Sequence, residues 1–143
     1  MDAWISLPAR LASVEAARQW LQPQLQTADV APGSLFRIEL VLEELLMNVV
    51  RHGHPRPAAG DGFSLRLGAE LHSDHLLLCL EDDGVAFDPA TAPLPATPAS
   101  LAEARVGGLG LVLVRKSARS LRHERVDGLN RLWVELPLRP PAA

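Results

Sequence analysis

Glu43-Glu44-Leu45-Leu46-Met47-Asn48-Val49-Val50-Arg51-His52-Gly53 is the stretch that decides the fold. Leu35, Ile38, Leu42, Leu45, Leu46 and Val49 recur at helical spacing up to and through it, and Gly53 with Pro55 ends the run. Ser34 has the chemistry of an N-cap for this helix. Glu44 and Asn48 stand four residues apart, so their side chains lie about 40° apart on the helix surface. A carboxylate beside a carboxamide can hold a hard cation and orient a nucleophile. Arg51, one turn on, can meet phosphate. Alone, such a pair is more often a solvated helix edge, so the rest of the chain must decide.

Upstream, Trp4–Leu7 alternates and is stopped by Pro8, which reads as an edge strand. Leu11, Val14, Ala17, Trp20, Leu21 and Leu25 give a first helix, with Pro23 close to its end. Downstream, Phe63 to Leu71 alternates apolar and polar, a strand with one wet face. Ser73-Asp74 is a turn, and the apolar run Leu76–Leu80 reads as a strand covered on both sides.

An acidic box follows, Glu81-Asp82-Asp83-Gly84-Val85-Ala86-Phe87-Asp88-Pro89. Asp82 can accept a hydrogen bond from a ligand amine, and Phe87 can wall a pocket. Residues 90–100 (ATAPLPATPAS) have no period and read as a loop, with a short helical stub at Leu101–Arg105. Gly107-Gly108-Leu109-Gly110-Leu111 then opens a helix expected to run to Leu121. Backbone N–H groups at a helix start favour an anion. The stretch is neither a Walker loop nor a dinucleotide fingerprint. A hairpin closes the chain: an arm at 121–126, the turn Asp127-Gly128, and an arm with Leu132, Val134, Leu136 and Leu138 on one face.

This order predicts one α+β domain over residues 1–143, a two-layer sandwich of a mixed, largely antiparallel sheet with helices on one face. With 48 % hydrophobic residues and 22 % charged, the 143 residues can bury a core, and the net charge of −3 argues against a nucleic-acid partner. No apolar run reaches a membrane span and no secretory signal is evident. The lone Cys79 cannot form an internal disulfide, which fits a cytoplasmic location. His54, His72 and His75 lack metal-ligand spacing, and Trp20 and Trp133 read as core or sheet-face residues.

In combination, EELLMNVVRHG (43–53), DDGVAFDP (82–89), VGGLGLVLVR (106–115) and RVDGLNRLWVELPL (125–138) resemble the Bergerat ATP-binding fold, and within it the anti-sigma-factor serine-protein kinases of bacterial partner-switching systems. The resemblance implies ATP and Mg²⁺ as ligands, with Glu44 as general base and Asn48 on the metal. It implies Asp82, Gly84 and Phe87 at the adenine, and Gly107, Gly108, Leu109, Gly110 and Leu111 at the phosphates. Arg51, His52 and Arg105 would lie near the phosphates too, and Pro89–Val106 would be an ATP lid. Asn130 matches a recurrent position whose role stays open, a structural turn being the plainer reading. Ala86 departs from a second glycine, His123 stands where tyrosine is frequent, and the lid has few polar groups. The implied partners are a STAS-type anti-anti-sigma protein and a sigma factor or other regulatory client, with the kinase a homodimer. The alternative is an ATP-binding regulatory module that sequesters partners without phosphoryl transfer. A histidine-kinase catalytic domain would need a separate dimerising hairpin that carries a phospho-accepting histidine.

Overall fold

In the computed structural model, residues 1, 3–52, 64–93 and 109–141 are described, apart from the side chains of His52 and Leu109. Phe63, His54, Arg105, Gly107, Gly108, the stub at 101–105 and most of the expected lid lie outside the described residues. The elements are β1 (Ala3–Pro8), α1 (Ala12–Leu25), α2 (Pro32–His52), β2 (Ser64–Leu71), β3 (His75–Asp82), α3 (Leu109–Ser117), β4 (Ser120–Val126) and β5 (Leu129–Pro137).

The five strands form one sheet in the order β1-β2-β3-β5-β4. The pairing expected to be mixed but largely antiparallel is antiparallel at every described step. One face packs against the helices. α1 buries Ser13, Ala17, Leu21 and Leu25, a stripe of one residue per turn. α2 buries Ile38, Val41, Leu42, Leu45, Leu46 and Val49. The sheet answers with Leu65, Leu67, Leu76, Leu78, Leu80, Leu132, Val134 and Leu136, alternate residues of three strands. Asp127 (φ 52°) and Gly128 (φ 78°) make the β4–β5 turn, both in the left-handed region that such a two-residue turn requires.

Several expectations change. α2 begins at Pro32, so Ser34 lies buried in its first turn rather than capping it. Proline suits the first helical position because its missing N–H would have no partner there. α1 continues through Pro23 to Leu25. α3 stops at Ser117, and β4 begins at Ser120 where helix was expected. β3 runs on to Asp82, so the first two acids of the box are strand residues.

β3 is covered by helices on one face only. On the other face its neighbours supply the cover. Trp4, Gly68, Cys79, Trp133 and Arg122 lie in one cross-strand row. The Arg66 guanidinium stacks 4.4 Å from the Trp4 ring centre, and Arg122 lies 4.3 Å from that of Trp133. Glu81 is buried beneath its ion pairs with Arg66 (3.0 Å) and Arg131 (2.7 Å). Burial of Cys79 on this face pushes its thiol up to about 11, so it is an inert thiol at neutral pH.

Candidate functional site

The cleft forms where β3 ends and β5 begins, with α2 above it. Leu45, Asn48, Val49, Leu80, Asp82 and Phe87 line it, joined by Val85, Pro89, His123, Asn130 and Leu132. Its cavity volume is about 30 Å³. Most of the lining is apolar with a few convergent polar groups, the composition of a small-molecule site.

Asn48 comes from α2. It stands inside the apolar stripe, only 6 % exposed, and its Nδ2 has no hydrogen-bond partner. A buried amide left unpaired costs about 1–3 kcal/mol, so a helix keeps one where a ligand meets it. Its side-chain oxygen is the hard donor that Mg²⁺ prefers, and its Nδ2 N–H calls for an acceptor such as a phosphate oxygen. The residue therefore fits the implied metal.

Glu44 is half-buried. Burial pushes its carboxyl above the usual carboxylate range, a rise that Glu43 adds to and the Arg51 charge opposes. The start of α3 lies directly against it. A β-carbon on Gly110 would stand 2.7 Å from Glu44 Cδ and closer still to its Oε2. Glycine at 110 leaves the Glu44 carboxylate room to lie against the first turn of α3. Leu111 follows, buried in the same first turn of α3. Arg51 is exposed at the last turn of α2, and His52 ends the helix.

Asp82 and Asn130 face each other across the β3–β5 ladder. Asn130 Nδ2 donates to Asp82 Oδ1 (3.1 Å) and to the Val85 carbonyl (2.7 Å), and Asn130 Oδ1 accepts from the Phe87 N–H (3.1 Å). These partners fix which end of the amide is oxygen. His123 Nε2 stands 3.0 Å from that same Oδ1, so it carries the proton. Gly84 N–H donates to Asp82 Oδ1 (3.0 Å), and Arg125 Nη1 donates to the Gly84 carbonyl (2.8 Å). Burial pushes the Asp82 carboxyl up, while the hydrogen bonds from Asn130 and Gly84 hold it down.

Of the expected site residues, Asn48, Asp82 and Phe87 line the cleft, Gly84 hydrogen-bonds to Asp82 beside it, and Glu44 meets Gly110 one turn back along α2 from Asn48. Asn130, His123, Arg115 and Arg125 complete it without having been assigned to it. The Asp127-Gly128 turn sets Asn130 opposite Arg125 on β4, whereas its place opposite Asp82 comes from the β3–β5 pairing, which no local signal in the sequence sets. Arg115 and Arg125 gave no signal either, because their partners are main-chain carbonyls. Among the described residues no group of three His, Cys, Asp or Glu side chains could hold a metal by itself. No helix among them is long and apolar enough to cross a membrane.

Residues 7–136 match the family model of the histidine kinase-like ATPase domain. The serine/threonine-protein kinase BtrW of Bordetella bronchiseptica is 34 % identical over 101 residues, a match that covers 68 % of this chain and 66 % of that protein. Among solved structures, the RsbU and RsbW domains of a Mycobacterium tuberculosis protein superpose with a TM-score of 0.60 at 15 % identity, over 96 % of this chain and 33 % of that one. The catalytic domain of the histidine kinase ThkA superposes with a TM-score of 0.51 at 14 % identity, over 96 % of this chain and 99 % of that one. The chain therefore spans about two thirds of the curated relative and one third of the mycobacterial chain, and the two structures share its fold.

Proposed function

Because this chain belongs to the histidine kinase-like ATPase domain family, we propose that it is a Mg-ATP-dependent serine-protein kinase of the partner-switching type, which also acts as an anti-sigma factor. The observation that carries this reading is the pairing on α2. Glu44, raised above an ordinary carboxylate, stands one turn before Asn48, whose buried amide has an unpartnered Nδ2. The unpartnered N–H supports a ligand acceptor at Asn48, whose amide oxygen would serve the metal, and a kinase needs a base such as Glu44 as well. The name of the relative BtrW supports a serine/threonine kinase, and the RsbW domain shares the fold.

In this reading Asp82 accepts a hydrogen bond from the adenine amine, and the Asn130 network holds the carboxylate in place. Phe87 and Pro89 wall the base. Asn48 holds the Mg²⁺, which when bound neutralises charge on the phosphates. Gly110 and Leu111, in the first turn of α3, turn backbone N–H groups to phosphate. Glu44 takes the proton from the substrate serine hydroxyl. That oxygen bonds to the γ-phosphorus as the bond to the β-phosphate oxygen breaks, which leaves phosphoserine and ADP. A raised carboxyl suits this work, since a base is most useful when its pKa approaches the working pH. The substrate serine belongs to a STAS-type antagonist, and the added charge releases that antagonist from the kinase. The unphosphorylated antagonist and a sigma factor compete for the kinase, which works as a cytoplasmic homodimer.

Intact-mass spectrometry of a candidate STAS protein, incubated with this protein and Mg-ATP, tests the reading. A gain of one phosphoryl group with the wild type and none with Glu44→Gln is expected. No gain despite measured ATP binding would replace the kinase with a sequestering module.

A further inference from the structure

We propose that Arg115 is a positioning residue for the nucleotide, one that pins the Pro89 wall of the cleft to α3. The proposed phosphoryl transfer gives this side chain no part. Its Nε donates to the Pro89 carbonyl (2.8 Å) and its Nη2 to the Ala92 carbonyl (2.5 Å). Both are charge-assisted bonds to carbonyls, and the planar guanidinium fixes the two acceptors relative to each other. The carbonyls belong to a small turn that also ties itself together. Asp88 Oδ1 accepts from the Ala90 N–H (2.8 Å), Asp88 Oδ2 from the Thr91 hydroxyl (3.1 Å), and the Asp88 carbonyl from the Ala92 N–H (2.9 Å).

The turn is therefore a rigid unit, and Arg115 is its tie to a helix. Pro89 is buried and lines the cleft beside Phe87. Within α3, Val114 is fully buried in the core, which fixes the base of the arginine next to it. The same helix abuts Glu44 at Gly110, little more than one turn away. One nine-residue helix thus sets both the position of the carboxylate and the position of the wall. Loss of Arg115 frees the wall while the carboxylate stays in place, so the effect falls on nucleotide affinity first. Arg119, just past the end of the helix, ion-pairs instead with Asp74 and Glu135 on the exposed surface and makes the natural control.

This inference rests on the nucleotide-binding part of the reading above, and the test separates the two. Mg-ATP affinity is measured by calorimetry on the full chain for the wild type, Arg115→Ala, Arg115→Lys and Arg119→Ala, with thermal unfolding of each in the absence of nucleotide. We expect Kd to rise about tenfold in Arg115→Ala, to recover in part in Arg115→Lys, which can reach one carbonyl, and to stay unchanged in Arg119→Ala. Amide exchange at Thr91 and Ala92 should quicken in Arg115→Ala alone. A lowered Tm with Kd held within about twofold of wild type would reduce Arg115 to a structural tie and overturn the proposal. Should Arg115→Ala fail to fold, the Lys variant decides: full wild-type affinity with unchanged exchange at those two amides overturns it as well. Absence of Mg-ATP binding by the wild type would overturn the nucleotide reading itself, and this inference with it.

Discussion

The Glu44 carboxylate fills the space where a side chain on Gly110 would begin, with Cδ 2.7 Å from the β-carbon that an alanine would place there. A flexible carboxylate can swing away from an added methyl, so Gly110→Ala should fold. It should nonetheless move the proposed base off its line to the serine. A displacement on the order of 1 Å costs about 100-fold in rate. Single-turnover transfer to a STAS substrate at saturating Mg-ATP should fall by about that factor, and a rate near that of wild type would show that Glu44 is not held where the chemistry needs it.

The rise of the Glu44 carboxyl by burial sets a direction for pH dependence. The proposed base works ionised, so the transfer rate should fall as pH drops, with a midpoint above the ~4.3 of a free glutamate. The stability sign is the opposite one. A carboxyl raised in the folded state contributes stability that is fully present below its unfolded pKa and lost as pH rises through its folded one. Glu44→Gln should therefore raise Tm at pH 7 by about 2 °C and leave it unchanged at strongly acid pH. An equal gain at both pH values would show that the charge is not what burial penalises.

Asn130 satisfies three groups of the Asp82–Phe87 segment with one amide. Asn130→Ala leaves the Phe87 N–H and the Val85 carbonyl without it, at a cost of about 2–4 kcal/mol. Thermal unfolding should show the loss, and Mg-ATP affinity should weaken at least about tenfold because Asp82 loses its partner. Stability lost with affinity intact would make Asn130 a turn residue alone.

Asp82 is pushed up by burial, so it takes a proton at a higher pH than a free aspartate does. As the adenine acceptor it needs to be ionised. Mg-ATP affinity should accordingly fall as pH drops through that raised value, while the stability that this group contributes is lost in the opposite direction, as pH rises through it. Asp82→Asn should weaken Mg-ATP binding by about tenfold or more and flatten the acid limb of the affinity profile. An acid limb unchanged in the variant would assign it to another group.

The long helix, the two middle strands and the closing hairpin were legible because their apolar periods are strong and their stops are glycine or proline. Element ends were less so. Ser34 looks like a cap, but proline at the first helical position took precedence, and the helix began three residues earlier than that cap would set it. The apolar pattern after Leu113 continues past Ser117, and nothing local marks the switch to the extended strand that pairs with β5. The candidate site was expected from four motifs in order, Glu44, Asn48 and Asp82 among them, since no one of these residues speaks for itself. It was not legible where the role is relational: Asn130 matters because Asp82 lies across the ladder from it, and Arg115 because two carbonyls lie 23 and 26 residues away.

Glu81 and Asp82 are consecutive acids on one strand, yet they do different work. The first lies between two arginines on the open face of the sheet, and the second lies in the cleft. Their chemistry is nearly interchangeable, so parity along β3 alone assigns their roles. A slip of a single position would carry the arginine-bound acid into the cleft and strand its neighbour among the guanidinium groups. The three core leucines at 76, 78 and 80 are what forbid that slip. In this domain, then, the proposed ligand recognition depends partly on Leu76 and Leu78, which lie outside the cleft, and a deletion in the 72–74 hairpin would erase the site with every motif still in place.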